Sequence, residues 1–345
     1  MTTHLAALLR TEGQPLSLER VETPGPRPGE ALVRLRAAAL NHRDLWMRQG
    51  AYGKMAGLPC TLGSDGCGEV VQVGAPEDEH WLGRTVVVNP SLDWGGDDAA
   101  PGAAWRILGL PDHGTFAEAL CVSVAQLHDA PAGWSAEEAA ALPLAGLTAY
   151  RALFRRGGLD AVVSGGGSPS ARPRVLLTGI GGGVAQWALR LAGAAGAEVW
   201  VTSASPAKIE AAREAGAAGG VLYTGSGWGE ALSKEAGLFD LCIDSAGGAG
   251  WEDITDALAP GGKLVFFGAT RGAGVIPMRK AFFKQVDILG TAMGSPRDFE
   301  GLLAFVAAHD LRPPLDSMYD LADVEKALTR MEAGAQSGKI VLKIA

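Results

Sequence analysis

The sequence predicts an α/β protein that combines a doubly wound parallel sheet with a partly open antiparallel β-barrel. In the middle of the chain, short apolar runs alternate with helical patterns, which is typical of a parallel sheet covered by helices on both faces. In the first third, strand-like runs are separated by glycine and proline turns, which favours an antiparallel barrel. A length of 345 residues exceeds one ordinary core and indicates two domains.

The barrel prediction depends on a series of short strands near the start of the chain, separated by turns at 13–15 and 24–29. The predicted strands are 4–10, 16–22, 31–40, 66–74, 84–89 and 115–122. Between the last two lies a glycine- and aspartate-rich stretch at 89–111, which we expect to form an ordered surface loop around Trp94 and Trp105.

The pattern changes at Ser135, where Ser135-Ala136-Glu137-Glu138 is a capping box that begins a helix. A second helix is predicted at 144–156, and the low-complexity stretch 157–173 ends it. The strands predicted beyond it are 174–178, 197–202, 220–223, 239–244, 262–268 and 286–291, with helices between the first five. Helices at 295–309 and 321–334 and a strand at 339–344 complete the prediction.

Composition excludes several classes of protein. The net charge is −8 and no run of lysine or arginine stands out, so we expect neither nucleic acid nor a membrane as partner. No apolar run is long enough to span a bilayer, and the first residues lack a secretion signal. The cysteines are scattered without a CxxC pair, which indicates a reducing compartment and predicts a cytoplasmic location.

The segment 174–185 carries the clearest functional signal. An apolar strand at 174–178 meets a glycine cluster and then a helix, a geometry that brings a diphosphate against backbone N–H groups and the positive end of a helix. A tight turn beside a packed helix would also select glycine, but the next strand at 198–203 completes a βαβ unit. We therefore predict a dinucleotide site. The residues that line it are Gly179, Gly181, Gly182, Gly183 and Val184.

One position of this glycine pattern departs from expectation. Val184 stands where a third glycine or alanine normally allows close packing of helix and strand. Either the helix and strand lie slightly farther apart, or Ala185 takes this place in a shifted register.

The residues after the second strand bear on the choice of coenzyme. An NAD site places Asp or Glu there, whereas this chain has Ser203, Ser205 and Lys208. A carboxylate would repel a 2′-phosphate, while hydroxyls and an ammonium would bind it. A loop with a Ser-Pro helix start and a solvated lysine is the alternative interpretation. The absence of an acid leads us to predict NADP(H).

Several further segments resemble one family over almost the whole chain. They are Asn41-His42-Arg43-Asp44-Leu45, 58–68, 114–118, 139–150 and the nucleotide segments above. The chain resembles the medium-chain dehydrogenase/reductase superfamily, and most of all its zinc-free quinone oxidoreductase and enoyl reductase branch. The resemblance implies a GroES-like catalytic domain at 1–145 and 297–345, a Rossmann dinucleotide-binding domain at 146–296, and a cleft between them. It also implies a homodimer or homotetramer that extends the nucleotide sheet, with 287–291 as the candidate edge.

The resemblance also bears on zinc. Zinc-dependent members hold the catalytic metal with a Cys, a His with adjoining Glu, and a later Cys or acid. Here those places hold Asn41, Ser64 with Asp65, and roughly Leu144, which cannot form a thiolate and imidazole site. The loop at 89–111 lacks the four cysteines of the structural zinc site. We therefore predict no metal at either position. The proton-relay residues of those enzymes are replaced by Arg43 and Trp46.

Without a metal, hydride transfer suits quinones, enones and related conjugated carbonyls, because charge spreads to a distant oxygen. A phenol or water can then supply the proton. We predict an NADPH-dependent, zinc-independent oxidoreductase that reduces such a small-molecule substrate. Two alternatives stay open: a zinc-type alcohol or polyol dehydrogenase, and a non-catalytic NADP(H)-binding protein.

The resemblance assigns roles to individual residues near the reaction. Tyr52 matches a tyrosine that related enoyl reductases place in the substrate cleft, although it could instead pack a loop against the barrel. Asn41 matches a residue near the nicotinamide and could also cap the helix that begins at His42. His42 could reach the diphosphate or lie on the polar surface. Asp44 is predicted to be a structural hydrogen-bond acceptor.

Other contacts to the coenzyme follow from the same resemblance. Thr148 matches the residue beneath the nicotinamide, and Tyr223 matches a neighbour of the adenosine phosphate. The ends of the fourth and fifth strands lie at the edge where such sheets bind ligands. The residues predicted there are Ser245, Gly268, Ala269 and Thr270.

Overall fold

A computed structural model describes residues 2–53, 56–160 and 172–344 of the chain. It divides into two compact units, which we call the antiparallel unit and the parallel unit. The antiparallel unit comprises Met1–Ala145 and Gly294–Ala345, and the parallel unit comprises Gly146–Met293. Most of the helix break predicted at 157–173 lies outside the described residues.

The strands of the described part are numbered in chain order. They are β1 Thr3–Leu9, β2 Ser17–Glu22, β3 Glu30–Ala39, β4 Cys60–Thr61, β5 Asp65–Val73, β6 Thr85–Val88, β7 Ser91–Leu92, β8 Arg106–Ile107, β9 Ala119–Ser123, β10 Leu127–Asp129, β11 Arg174–Leu177, β12 Glu198–Ser203, β13 Gly219–Leu222, β14 Phe239–Asp244, β15 Leu258–Phe266, β16 Asp287–Gly290, β17 Leu315–Asp320 and β18 Lys339–Lys343.

The α-helices of the described part are numbered in the same way. They are α1 His42–Arg48, α2 Ala136–Ala140, α3 Pro143–Tyr150, α4 Gly183–Ala194, α5 Pro206–Glu214, α6 Trp228–Ala236, α7 Trp251–Ala257, α8 Met278–Lys284, α9 Pro296–Ala308 and α10 Val324–Glu332. A π-helical segment, Arg151–Arg156, follows α3. None of the helices among the described residues combines the length and apolar character needed to cross a membrane.

In the antiparallel unit, β3 is the central strand. It pairs antiparallel with β5, β9 and β18, and the sheet runs in the order β10-β6-β5-β3-β18-β17. A second sheet has the order β2-β1-β4. Buried side chains such as Leu35, Phe116 and Leu342 form the core between these strands. Because β18 pairs with β3, the last segment of the chain completes the same unit as the first.

The parallel unit contains a six-stranded sheet in the order β13-β12-β11-β14-β15-β16. This is the doubly wound order 3-2-1-4-5-6, in which the strand order reverses at the first strand, β11. Val175, Leu176 and Leu177 of β11 are all fully buried, as expected for a strand covered on both faces. The predicted fold class is confirmed in both units.

The stretch 89–111 differs from the surface loop that the sequence predicts. It contains the paired strands β7 and β8, and the Trp94 side chain is only 2% exposed. The Trp94 indole donates to the Asp97 carbonyl at 2.9 Å, and its ring lies edge-on to Trp105 at 5.6 Å. Trp94 and Trp105 therefore form a small core within this segment, which the glycine-rich composition does not predict.

Candidate functional site

Helix α1 places several of the predicted residues in the antiparallel unit. Its first turn is closed by Asp44, whose carboxylate accepts from the Asn41 backbone N–H at 2.8 Å. The Asn41 side chain is used elsewhere: its amide nitrogen donates to Asp65 at 2.9 Å, and its amide oxygen accepts from Lys339 at 2.7 Å. Asn41 thus connects the start of α1 to β5, through Asp65, and to β18, through Lys339.

Lys339 and Asp65 form a buried ion pair that contacts Asn41. The Lys339 ammonium donates to Asp65 at 2.8 Å and to the Leu40 carbonyl at 2.7 Å, and its side chain is 2% exposed. Asp65 also accepts from the Leu144 backbone N–H at 2.7 Å, at the start of α3. Both charges are therefore satisfied by several hydrogen bonds, the condition under which a buried pair is tolerated.

Asp44 lies in a different environment. It is fully buried, and this burial raises the pKa of its carboxyl to about 6 against the opposing effect of the Arg43 charge. One carboxylate oxygen accepts from Asn41, and the other has no partner among the described residues. Asp44 therefore acts as a hydrogen-bond acceptor for the helix start, as the sequence predicts.

The Arg43 guanidinium is hydrogen-bonded to both Tyr52 and Ser64. Its Nη1 donates to the Ser64 hydroxyl and to the Leu108 carbonyl, both at 2.8 Å. Its Nε donates to the Tyr52 hydroxyl at 3.4 Å, and the guanidinium carbon lies 5.2 Å from the centre of the Tyr52 ring. Arg43 is 7% exposed, whereas Tyr52 is 39% exposed. The phenol thus lies between a buried cation and solvent.

In the parallel unit, the glycine turn has the geometry of a phosphate cradle. Gly179 has φ +65, a left-handed conformation that favours glycine, and its N–H donates to the Thr202 hydroxyl at 3.3 Å. Gly182 precedes α4 without a side-chain cap, so the first N–H groups of this 12-residue helix face the turn. Backbone donors at a helix N-terminus suit a diphosphate, and the residues present therefore fit a dinucleotide.

The register of this turn is also defined. Ala185 is 6% exposed and points inward, whereas Val184 is only half-buried. The burial of Ala185 favours the shifted register, in which this small residue takes the place of the third glycine or alanine.

A second group of predicted residues lies at the ends of β14 and β15. Asp244 is 1% exposed and accepts from Thr178 at 2.5 Å, from the Gly247 N–H at 2.8 Å and from the Trp251 indole at 3.0 Å. The Ser245 carbonyl accepts from the Thr270 backbone and hydroxyl, both at 3.4 Å. Asp244 thus orders the turn that carries Ser245.

The turns after β14 and β15 approach each other closely, which explains the glycine at position 268. A Cβ at Gly268 would lie 2.7 Å from the Ser245 carbonyl oxygen, so a larger residue would separate the turns. Ala269 and Thr270 follow directly. The structure therefore brings these predicted residues together at the carboxyl edge of the sheet.

The residues expected to recognise the adenosine phosphate lie at the neighbouring strand ends. The Ser203 hydroxyl accepts from the Ser205 N–H at 3.1 Å, and Ser203 is only 5% exposed. Ser205 and Lys208, at the start of α5, are half-buried. The Tyr223 N–H donates to the Ser203 carbonyl at 3.1 Å, so Tyr223 lies beside this loop.

A cation that the sequence prediction missed joins this group. The exposed guanidinium of Arg271 lies over the Tyr223 ring, 4.9 Å from its centre. Arg271 belongs to the turn after β15, where its N–H donates to the Ala246 carbonyl at 2.8 Å. No local sequence signal connects residues 223 and 271, because they follow strands at opposite sides of the sheet.

The remaining predicted residues are Thr148 and His42. Thr148 is on α3 and is 4% exposed, so little of its side chain is available to a ligand in this conformation. His42, at the first position of α1, is exposed, and its ring lies 5.6 Å from that of Trp46.

Comparison with known proteins gives the family. The model of zinc-binding dehydrogenases matches residues 183–308, and the model of the alcohol dehydrogenase GroES-like domain matches residues 27–132. A zinc-type alcohol dehydrogenase-like protein, YogA, from Leptosphaeria maculans is 34% identical over 96% of this chain and 95% of its own length. The chain belongs to the medium-chain dehydrogenase/reductase superfamily.

Other members of the superfamily are also similar. A quinone oxidoreductase from Pseudomonas aeruginosa is 28% identical over 92% of each chain. The crystal structure of an NAD-dependent alcohol dehydrogenase has a TM-score of 0.87 at 33% identity and covers 99% of this chain and 100% of that chain. The predicted superfamily is confirmed, while the quinone oxidoreductase is a more distant relative than the zinc-type protein. Assignment to the zinc-free branch stays a prediction.

Membership of the medium-chain dehydrogenase/reductase superfamily makes this chain an oxidoreductase that binds a nicotinamide coenzyme in its Rossmann domain and acts on a small molecule.

Because some members of the superfamily bind zinc, the residues at the corresponding positions must be tested for their fit to a zinc ion. The Asn41 amide is bonded to Asp65 and Lys339, and the Ser64 hydroxyl accepts from the Arg43 guanidinium. Among the described residues, no cluster of three His, Cys, Asp or Glu side chains could hold a metal ion. These residues do not fit the zinc of this family.

Proposed function

We propose that this member of the superfamily is an NADP(H)-dependent oxidoreductase that reduces a quinone, an enone or a related conjugated carbonyl without a metal ion. The observation that carries the proposal is the hydrogen bond from Arg43 to Ser64. Ser64 stands where zinc-dependent relatives have a histidine ligand, and here it faces a cation. A zinc ion at this place would be repelled by the guanidinium and would lack thiolate and imidazole ligands.

The proposed preference for NADP(H) is supported by the charges around the end of β12. No acid follows Ser203, and Arg271 lies over Tyr223, whose backbone is bonded to Ser203. A guanidinium beside the ribose would bind the 2′-phosphate of NADPH with charge-assisted hydrogen bonds. Because Ser203 is only 5% exposed whereas Arg271 is exposed, we assign the larger share of this recognition to Arg271.

The chemistry that the coenzyme supplies when bound is a hydride. Hydride addition at the β-carbon of an enone would leave the negative charge as an enolate, and a proton from Tyr52 or water would complete the saturated ketone at the α-carbon. The task of the protein is to bind the acceptor, orient it and stabilise the oxygen on which charge develops.

A screen of NADPH consumption tests the proposal. Purified protein is assayed against enones, quinones, aldehydes and, in the reverse direction, alcohols, and metal content is measured on the same sample by mass spectrometry. We expect turnover with conjugated acceptors, unchanged by a chelator, and less than a tenth of an equivalent of zinc, about the level of an adventitious contaminant.

The same screen separates the alternatives. Alcohol oxidation that is lost with a chelator would establish the zinc-type dehydrogenase, which the name of the 34% identical relative favours. Tight binding of NADPH with no turnover across the panel would instead establish a non-catalytic coenzyme-binding protein.

We also propose that two copies associate through the edge of the parallel sheet. Strand β16 is the last strand of this sheet, and the segment before it exposes large apolar side chains. They are Val275, Ile276, Met278, Phe282 and Phe283, exposed by 68%, 40%, 68%, 61% and 71%. An unpaired edge strand next to an apolar patch favours an isologous contact with a second copy. A homodimer is the simplest assembly, and a homotetramer is the alternative.

A further inference from the structure

We infer that Arg43, together with the Tyr52 hydroxyl, forms an oxyanion site that binds the carbonyl oxygen of the acceptor. This inference rests on the proposed function, because it names the group that would stabilise the charge of the reduced acceptor. It assigns to a guanidinium the electrostatic role that a metal ion has in other members of the superfamily.

The geometry leaves one edge of the guanidinium available. Nη1 is held by Ser64 and Leu108, and Nε faces Tyr52. Nη2 has no hydrogen bond to any of the described residues. Arg43 keeps a small exposed surface, since the residue is 7% exposed. Tyr52, which accepts from Nε at 3.4 Å, is 39% exposed. An incoming oxygen would therefore meet the Nη2 edge and the phenol together.

Among the described residues, no carboxylate is hydrogen-bonded to Arg43. Its hydrogen-bond partners are a serine hydroxyl, a backbone carbonyl and a phenol, all neutral. No ion pair joins Arg43 to an acid within the part of the chain that the structure describes. Asp44, the adjacent acid, directs one oxygen to the Asn41 N–H instead. Asp44 therefore acts on Arg43 through space and not through a hydrogen bond. A nearly buried cation without a hydrogen-bonded anion is costly, and an oxyanion that enters beside it would offset part of that cost.

Rigidity makes this arrangement suited to catalysis. Two acceptors hold Nη1, and Arg43 belongs to the first turn of α1, so the guanidinium is fixed before the acceptor arrives. A preorganised donor stabilises the enolate or semireduced quinone oxygen without reorganising during the reaction. The ordinary carbonyl of the unreacted acceptor carries less charge and gains less from the same contact. The site therefore favours the transition state over the substrate.

Binding of a phenol provides a test that does not need turnover. 4-Nitrophenol resembles the enolate when ionised, and its absorbance reports which form is bound. We expect the wild-type protein to bind the phenolate and to lower the apparent pKa of the bound phenol. Arg43→Met should abolish this preference, and Arg43→Lys should restore part of it, because lysine keeps the charge but not the fork of donors.

Kinetics provide the second test. Arg43→Met should reduce kcat by on the order of 100-fold, the usual effect of removing one oxyanion donor, with a smaller change in KM. Tyr52→Phe should reduce kcat less. Arg48→Met is the matched control: it removes another arginine of α1, which pairs with Glu325 at 2.8 Å, and should leave kcat unchanged. Added guanidinium or methylguanidinium should partly rescue an Arg43→Ala variant but not wild-type protein.

The outcomes are distinguishable from those of the proposed function. If no acceptor is reduced but Arg43 controls phenolate binding, the oxyanion site stands and the proposed reaction is wrong. If acceptors are reduced and folded Arg43→Met retains both kcat and phenolate binding, the oxyanion site is wrong. Thermal unfolding and circular dichroism of each variant identify those that fail to fold, and for these the Arg43→Lys variant decides.

Discussion

Replacing Lys339 by methionine is the most informative test of the buried network in the antiparallel unit. The change removes the ammonium that donates to Asp65, Asn41 and the Leu40 carbonyl, while the side chain keeps similar bulk. Asp65 would stay buried, because its side chain has no exposed surface, and would lose its cation. Breaking a buried pair on one side usually costs about 3–5 kcal/mol.

The structure indicates the lower end of this range. Asp65 would keep two donors, the Asn41 amide at 2.9 Å and the Leu144 N–H at 2.7 Å. Charge-assisted hydrogen bonds of this kind hold a carboxylate even when its cation is gone. We therefore expect Lys339→Met to lower the free energy of unfolding by about 3 kcal/mol.

Urea denaturation measures the change in the free energy of unfolding, and hydrogen exchange shows whether this change occurs in the antiparallel unit. Peptides that contain β3 and β18 report on the antiparallel unit separately from the parallel one. An exposed pair serves as control: Arg34 and Glu69 lie 2.9 Å apart with side chains 52% and 32% exposed, so Arg34→Met should cost less than about 1 kcal/mol. Adding Asp65→Asn to Lys339→Met should recover stability, because the isolated charge disappears.

Two results would refute this reasoning. One is a loss of less than about 1 kcal/mol for Lys339→Met, since this would place the pair in an environment as polar as the surface. The other is a further loss in the Lys339→Met, Asp65→Asn double variant. That result would show that hydrogen bonding, not charge, controls the stability of the network.

Three more predictions follow from the same structure. Burial raises the pKa of Asp44 to about 6, above its value of 3.8 in an unfolded chain, so the folded state binds more protons and loses stability as the pH rises from 4 to 6. The loss approaches 3 kcal/mol, and denaturation of Asp44→Asn at pH 4 and 7 should show a smaller decrease than wild type. Arg271→Ala should raise the Kd for NADPH about tenfold and leave the Kd for NADH unchanged, as measured by fluorescence titration. Equal changes in the two Kd values would show that Arg271 does not recognise the 2′-phosphate. Phe282→Glu with Phe283→Glu should yield monomers by light scattering, whereas Leu82→Glu, at a side chain that is 46% exposed, should not change the assembly.

The sequence predicts well those features that are set by neighbouring residues. The glycine turn after β11 needs a left-handed residue at Gly179 and small residues before a helix, and both requirements are visible over a few positions. The capping box at Ser135 is local in the same way, and its serine accepts from the Glu138 N–H at 3.2 Å. The strands of the parallel unit were readable in the same way, whereas β10 and β17 of the antiparallel unit were not predicted.

Features that depend on distant residues were not predictable in this way. Lys339 and Asp65 are 274 positions apart, and only the pairing of β18 with β3 brings them together. Arg271 reaches Tyr223 because a turn folds back across the edge of the sheet. Helix α8 was missed for another reason: Phe282 and Phe283 are exposed, so its apolar side chains do not follow the pattern of a helix packed on a core.

Among the described residues, Lys339 and Arg43 are both buried cations of the antiparallel unit, and they have different roles because their partners differ. Lys339 is neutralised by Asp65, so it stabilises the fold and has no charge left for a ligand. Arg43 is hydrogen-bonded only to neutral oxygens, and its Nη2 has no hydrogen bond among the described residues. A nearly buried cation that lacks a hydrogen-bonded anion costs stability, and functional sites are where such costs are usually found. Loss of Lys339 should therefore appear first as instability, and loss of Arg43 first as weaker binding of an oxyanion.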